Sequence, residues 1–367
     1  MTETADSKDP NALDSQPFDA ILLVSFGGPE GQDDVMPFLE NVLRGKPVPR
    51  ERMLEVAEHY KHFGGVSPIN EQNRDLIAAL RPALDAAGID LPIYWGNRNW
   101  HPMLNDTVEE MRDKGHQKVI AFFTSMFSCY SGCRQYRENI IDACAAAGSE
   151  APAIQKIRKG FNHPKFIEAQ SDLVSKALLD IPGEKRAAAK ILFTAHSIPM
   201  SMADNSRYVE QLTEASRLVA SELGHENWEL VFQSRSGPPQ QPWLEPDVCD
   251  RIEELAGEGT KDFVIVPIGF VSDHMEVLFD LDTEAKEICE KLGVGFSRAA
   301  SVGVHPAFIS MVVDLIQERI TSREERPALG GYGPSHDVCP KDCCLYPRPQ
   351  RPGTSHQPAS TTTGAKP

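Results

Sequence analysis

The chain has 367 residues, enough for two ordinary α/β domains, and its 41% hydrophobic and 25% charged content is that of a soluble globular protein. A formal net charge of −16 argues against a nucleic-acid or anionic-membrane partner, either of which calls for a basic face. The longest apolar runs, VIAFF and FVIVPIGFV, are too short to cross a bilayer, and the acidic N-terminus lacks the apolar core of a signal peptide, so a cytoplasmic protein is expected.

In chain order, residues 1–17 are polar and predict a disordered start. Short β-branched and aromatic runs follow at 19–26, 91–97, 118–125 and 153–157. The same rhythm resumes at 189–197, 228–234, 261–270 and, more weakly, 293–298. Between them lie amphipathic stretches such as NDTVEEMRDKG and YVEQLTEASRLVASELG, the second closed by Gly224 as a helix stop. Near-continuous apolar strands alternating with helices predict parallel sheets covered on both faces. Four strands in each half make an α/β protein of two doubly wound domains, 18–160 and 161–304. The helical run 306–320 is expected to cross back to the first domain as part of an extension, 305–344. Residues 345–367, rich in Pro, Ser and Thr, predict a disordered tail.

Ligands of open α/β sheets bind beyond the carboxyl ends of the strands. In the first half those ends carry Ser25-Phe26-Gly27-Gly28, Asn97-Arg98-Asn99 and Thr124-Ser125. In the second they carry His196-Ser197, Ser234-Arg235 and the run Gly269 to His274. Pro199 restricts Ile198 to extended backbone and so leaves His196 on a loop. A lone strand-end histidine is more often a structural hydrogen-bonder, and it needs a partner. The partner candidate is GFVSDHMEVLFDLDTE, in which Glu276, Asp280 and Glu284 are spaced four apart and share a helix face. A solvated acidic face near a helix N-terminus accounts for Asp273 and Glu276 but not for a stripe that persists to Glu284. Asp273, Asp280 and Glu284 therefore read as a path for a hydrated divalent cation. The glycines of SFGGPEG lack nucleotide-binding spacing.

Eight cysteines are too few for a disulfide scaffold. Cys144, Cys249 and Cys289 lie singly, as small half-buried thiols do. Cys129 and Cys133 in SCYSGC, and Cys339, Cys343 and Cys344 in the tail, are clustered as metal ligation requires.

The segments LLVSFGGPEG, HFGGVSPIN, GNRNW, FTAHSIP, QSRSGPPQQPWLEPD and PIGFVSDHMEVLFDLD together resemble ferrochelatase over residues 18–320. The resemblance is to the bacterial branch acting on coproporphyrin III. It implies two Rossmann-like domains with a porphyrin cleft between them, and ferrous iron inserted into the ring in haem biosynthesis. His196 and Glu276 match the family's iron-linked histidine and glutamate, and Ser67 and Tyr136 match porphyrin contacts. Phe26 stands where some relatives place a tyrosine over the macrocycle, and Asp280 where many have Glu. The family's clustered tails imply a 2Fe–2S cluster on Cys339, Cys343, Cys344 and Cys133, with Cys129 as rival for the fourth place and zinc as a competing occupant. The partners expected are porphyrin, ferrous iron and, transiently, neighbouring haem-pathway enzymes, with the chain a monomer. A protoporphyrin IX ferrochelatase and a non-catalytic haem or metal carrier on the same fold are the alternative readings.

Overall fold

The computed structural model describes residues 16–45, 48–238 and 240–346. Most of the two segments expected to be disordered, 1–15 and 347–367, lies outside them. At the described margins Gln16 accepts a hydrogen bond from Lys118 Nζ at 2.9 Å, and the Tyr346 ring meets Tyr130 edge-on at 4.8 Å.

All eight predicted strands form. β1 (Ala20–Ser25), β2 (Ile93–Asn97), β3 (Lys118–Phe123) and β4 (Ala153–Lys156) make a parallel sheet in the order β2-β1-β3-β4. β5 (Lys190–His196), β6 (Trp228–Gln233), β7 (Asp262–Val266) and β8 (Gly295–Arg298) repeat that order as β6-β5-β7-β8. In each sheet the strand order reverses across the middle pair, which opens a crevice at the strand ends there. The two crevices follow β1/β3 and β5/β7.

β7 stops at Val266, earlier than its apolar run, because Pro267 cannot donate to the ladder. The chain turns at once, with Gly269 N–H donating to Thr194 O at 3.0 Å. A Cβ on Gly269 would fall 2.6 Å from that of Ala195, so only glycine lets this turn lie against β5. The residues that follow are thereby laid beside His196.

The core runs continuously through both halves. Ile21, Leu23, Ile120 and Phe122 of the first sheet join Ile191, Phe193, Val264 and Val266 of the second in one buried cluster. The bridge between them includes the helix Pro306–Ile320, whose Phe308, Val312, Leu315 and Ile316 are buried. It packs on the helices Ile69–Ala86 and Pro164–Leu178. Burying each such side chain contributes roughly 1.5–3 kcal/mol, enough to hold the two sheets in a fixed relation. Gly224 closes the helix Tyr208–Leu223 at φ 62°, as its position predicts. Among the described residues no helix is long and apolar enough to cross a membrane.

Candidate active site and a cysteine-lined pocket

His196 is the last residue of β5, and the next helical turn, Met200–Ala203, starts only after Pro199. The loop between them is fixed by Ser197, whose N–H donates to Gln233 O at 2.7 Å and whose hydroxyl donates to Leu244 O at 2.8 Å. The Tyr208 hydroxyl donates to the His196 carbonyl at 3.1 Å. His196 Nδ1 faces the Ser197 carbonyl oxygen, which can only accept, so the neutral ring carries its proton on Nδ1. Nε2 is left with a free lone pair on a side chain 31% exposed, and Glu276 Oε2 lies 3.5 Å from it.

Glu276 sits in the short turn Met275–Val277, directly after the loop that Gly269 places. His274 precedes it, its Nδ1 3.9 Å from the same Glu276 oxygen. Burial pulls the His274 pKa below the usual range, although Glu276 opposes that. The following segment, Leu278–Ala285, is wound as a π-helix, a form that often marks functional positions. Within it Asp280 accepts hydrogen bonds from Gln233 Nε2 at 3.3 Å and from the Ser234 hydroxyl. Burial pushes the Asp280 carboxyl up to about 7, and Glu276 and Glu284 repel its charge further. The Glu284 carboxyl is also raised, first by burial and then by Asp247 and Glu287.

Glu276, Asp280 and Glu284 thus form one interacting row from His196 outward. Asp273 does not face the row. Its carboxylate accepts from Ser301 at 2.6 Å and from Arg298 at 3.1 Å, while its N–H donates to Gln72 at 2.8 Å.

The first half faces this row. Its helix Arg50–His62 stacks His59 on Phe279 at 4.0 Å and 10°, and Glu276 adds to burial in raising the Tyr60 pKa. Phe26, 37% exposed, meets Phe38 edge-on at 6.2 Å. Arg98, a strand-end residue, lies 5.7 Å from the Phe26 ring and 4.6 Å from that of Tyr136. Its Nε donates to Asn139 at 2.7 Å. Tyr136 is buried and stacked on Phe123 at 5.1 Å. Ser67 is buried against Gly28, where a Cβ would fall 2.7 Å from its own. Phe26, Tyr136, Arg98 and His274 were each marked by the sequence, but the packing of Arg98 against both rings and the hold of Tyr208 on His196 were not legible, because those partners are distant in sequence.

A separate cavity of about 470 Å³ is lined by Cys133, Cys339, Cys343 and Cys344 together with Lys156, Lys159 and His336. Cys133 opens a helix in the first half and is hydrogen-bonded to Cys339. That bond, with Lys159, Lys156 and Arg137 nearby, holds the Cys133 thiol well below its usual range, against the effect of burial. Cys343 Sγ lies 3.5 Å from Cys344 Sγ and 3.9 Å from His336 Nε2. Cys129 is turned elsewhere, its buried sulfur accepting the Gly132 N–H at 3.1 Å as a helix cap. Arg134 fastens the tail by donating to the carbonyls of Lys341 at 2.7 Å and Cys343 at 3.0 Å. His336 escaped the reading of the sequence, although its spacing to Cys339 is that of metal ligands.

Two four-stranded parallel sheets with an acid row and a histidine at their facing crevices define a chelatase-like protein. SirB from Bacillus subtilis, solved with Fe3+, has the same fold at a TM-score of 0.51 and 14% identity, covering 83% of this chain and 96% of that one. The sirohydrochlorin chelatase SirB of Bacillus subtilis subspecies spizizenii, solved with cobalt, gives 0.50 and 12%, covering 84% and 97%. The Ferrochelatase family model matches residues 18–320, and the chain belongs to the ferrochelatase family. A ferrochelatase of Rhodopirellula baltica is 65% identical over 92% of this chain and 95% of its own length. A coproporphyrin III ferrochelatase of Streptomyces coelicolor is 50% identical over 94% and 98%.

Proposed function

We propose that the protein inserts ferrous iron into coproporphyrin III, forming iron-coproporphyrin and releasing two protons, with His196 and Glu276 at the reacting centre. The observation that carries this reading is the unblocked Nε2 of His196, 3.5 Å from a carboxylate. Metallation must remove two pyrrole protons while ferrous iron sheds water. The neutral tautomer of His196 offers Nε2 as the base, and Glu276 stabilises the imidazolium that forms. Asp280, titrating at about 7, carries protons off toward Glu284 or leads hydrated iron inward along the same row. Phe26 and Arg98 take the first-half side of the macrocycle, Arg98 as the cation for a propionate; the buried Tyr136 and Ser67 shape that wall from behind. Phe26 cannot ligate iron, so no axial bond comes from that position. In this reading the chain acts as a monomer on free porphyrin in the cytoplasm. The test is iron insertion measured side by side with coproporphyrin III and protoporphyrin IX. Faster turnover of coproporphyrin III is expected; a preference for protoporphyrin IX, or stoichiometric binding without turnover, overturns the reading.

The cavity in the tail fits a 2Fe–2S cluster by its donor set. Cys133, Cys339 and Cys343 supply three thiolates, and the fourth place falls to Cys344 or His336. Lys156, Lys159 and Arg137 around them offset the negative charge of an iron–sulfur centre. When bound, such a cluster supplies a one-electron centre and a cross-link between the tail and the first half. The absorption of freshly purified protein tests it, since zinc is colourless and a 2Fe–2S centre is red-brown.

A further inference from the structure

Five donors surround a centre that takes four, and their arrangement is unequal. Among the described residues, the set whose ligand atoms all lie within 4.8 Å of one another is His336, Cys339 and Cys343. Cys133 and Cys344 both line the same cavity and both lie outside that set, Cys133 hydrogen-bonded to Cys339 and Cys344 touching Cys343. Cys133 comes from the first half and so closes the centre against the body of the protein, whereas Cys344 only repeats its neighbour Cys343. Resting on the reading of the cavity as a cluster site, we propose that the fourth ligand is the His336 imidazole, giving three thiolates and one nitrogen, with Cys344 outside the coordination sphere.

The position of His336 is set independently of any metal. Its carbonyl accepts from Lys156 Nζ at 3.1 Å. The next residue, Asp337, is buried between Arg326 at 2.7 Å and Arg319 at 3.7 Å. These contacts fix the backbone on both sides of His336 and so limit where its ring can reach. Cys344 is placed differently. It directly follows a cysteine that is already in the set, and its backbone lies at φ 54°, in the left-handed region that non-glycine residues rarely adopt. Its side chain is buried against Cys343. The bland alternative for His336, a surface histidine beside a thiol, does not explain why its ring converges on the sulfurs of both Cys339 and Cys343.

Substituting a neutral imidazole for a thiolate removes one negative charge from the centre, and in iron–sulfur proteins this raises the reduction potential. The proposal is tested on the full-length protein purified without oxygen, with iron and sulfide counted and the centre reduced by dithionite. Pulsed electron paramagnetic resonance on protein labelled with nitrogen-15 histidine is expected to show a ligating nitrogen coupled to the cluster. His336→Cys is expected to keep the visible absorption, lose the coupling and lower the potential. Cys344→Ser is expected to keep cluster, coupling and potential unchanged. A wild-type spectrum without nitrogen coupling overturns the proposal, as does a Cys344→Ser protein that loses its iron while His336→Ala retains it. Should metal analysis find zinc and no iron–sulfur absorption, the cluster reading falls by itself. X-ray absorption at the zinc edge then judges the ligand set, three sulfurs and one nitrogen supporting it and four sulfurs overturning it.

Discussion

His196 Nε2 stands 3.5 Å from Glu276 Oε2, although the two residues follow different strands of the second sheet. The contact exists because β5 and β7 are neighbours and because Gly269 lets the chain leaving β7 press against β5. His196→Ala is expected to lower the rate of iron insertion roughly 100- to 10,000-fold, the usual range for losing a general base. Porphyrin binding, followed by quenching of its fluorescence, should persist. Metallation of coproporphyrin III at near wild-type rate would remove His196 from the mechanism.

The hydroxyl of Tyr208 fixes the backbone of His196 without touching the reacting centre. Tyr208→Phe keeps the ring in its edge contact with Phe127, 6.5 Å between centroids, and deletes only the 3.1 Å bond to the His196 carbonyl. The loss should cost about 1 kcal/mol of stability. Because the bond holds the loop that carries His196, the proposed base, kcat should fall while KM for porphyrin stays unchanged. Equal loss of stability with full kcat would make Tyr208 a purely structural residue.

The central strands β1, β3, β5 and β7 were readable because both faces of a parallel sheet are covered there, so each appears as a near-continuous apolar run. The half-buried edge strands β4 (AIQK) and β8 (GFSR) give a weaker signal. Pro199 likewise announces where β5 gives way to a loop, whereas the apolar run 261–270 carried the expected strand past Pro267, where β7 in fact stops. The row from Glu276 to Glu284 was visible as spacing and the two cysteine groups as clusters, while the joining of the Cys133 and Cys339 segments was implied only by the family resemblance. What spacing could not reveal was long-range competition. Asp273 belongs by sequence to the acid row, yet Arg298 and Ser301 claim its carboxylate. The π-winding of Leu278–Ala285 goes with Asp280 being held by Gln233 and Ser234, partners from the end of β6. Tyr136 has the residue type of a ligand contact, but the fold buries it under Arg98.

Asp280 gives the site a pH dependence whose sign can be worked out. Its carboxyl titrates at about 7 when folded and at 3.8 in an unperturbed chain, chiefly because of burial. Below about pH 4 both states are protonated and nothing is lost. Between about 4 and 7 the unfolded chain releases its proton first, so the folded state loses stability as pH rises, and above about 7 the loss is complete. Asp280→Asn removes that term. The variant should be more stable than wild type by about 2 kcal/mol at pH 8, allowing for its weaker hydrogen bonds, with the gain vanishing near pH 4. KM for ferrous iron should rise, since the row is interrupted. Thermal unfolding across pH and iron titration at pH 7 check the two halves of this prediction.

The final helix is locked to the first half by a buried ion pair. Arg158 Nε and Nη2 donate to the two oxygens of Glu318 at 2.7 and 2.9 Å, and Nη2 also reaches Pro327 O at 2.9 Å. The Arg158 side chain is wholly buried and that of Glu318 nearly so. Glu318→Gln leaves a guanidinium without its counter-charge in the core, which should cost about 3–5 kcal/mol. Replacing both partners, Arg158→Met with Glu318→Leu, removes the stranded charge along with the bond and should recover most of that loss. Urea unfolding should show a lower midpoint with an unchanged slope for the single variant and a near-normal midpoint for the double. A single variant as stable as wild type would mean that water reaches Arg158, and that apolar packing alone holds the helix to the first half.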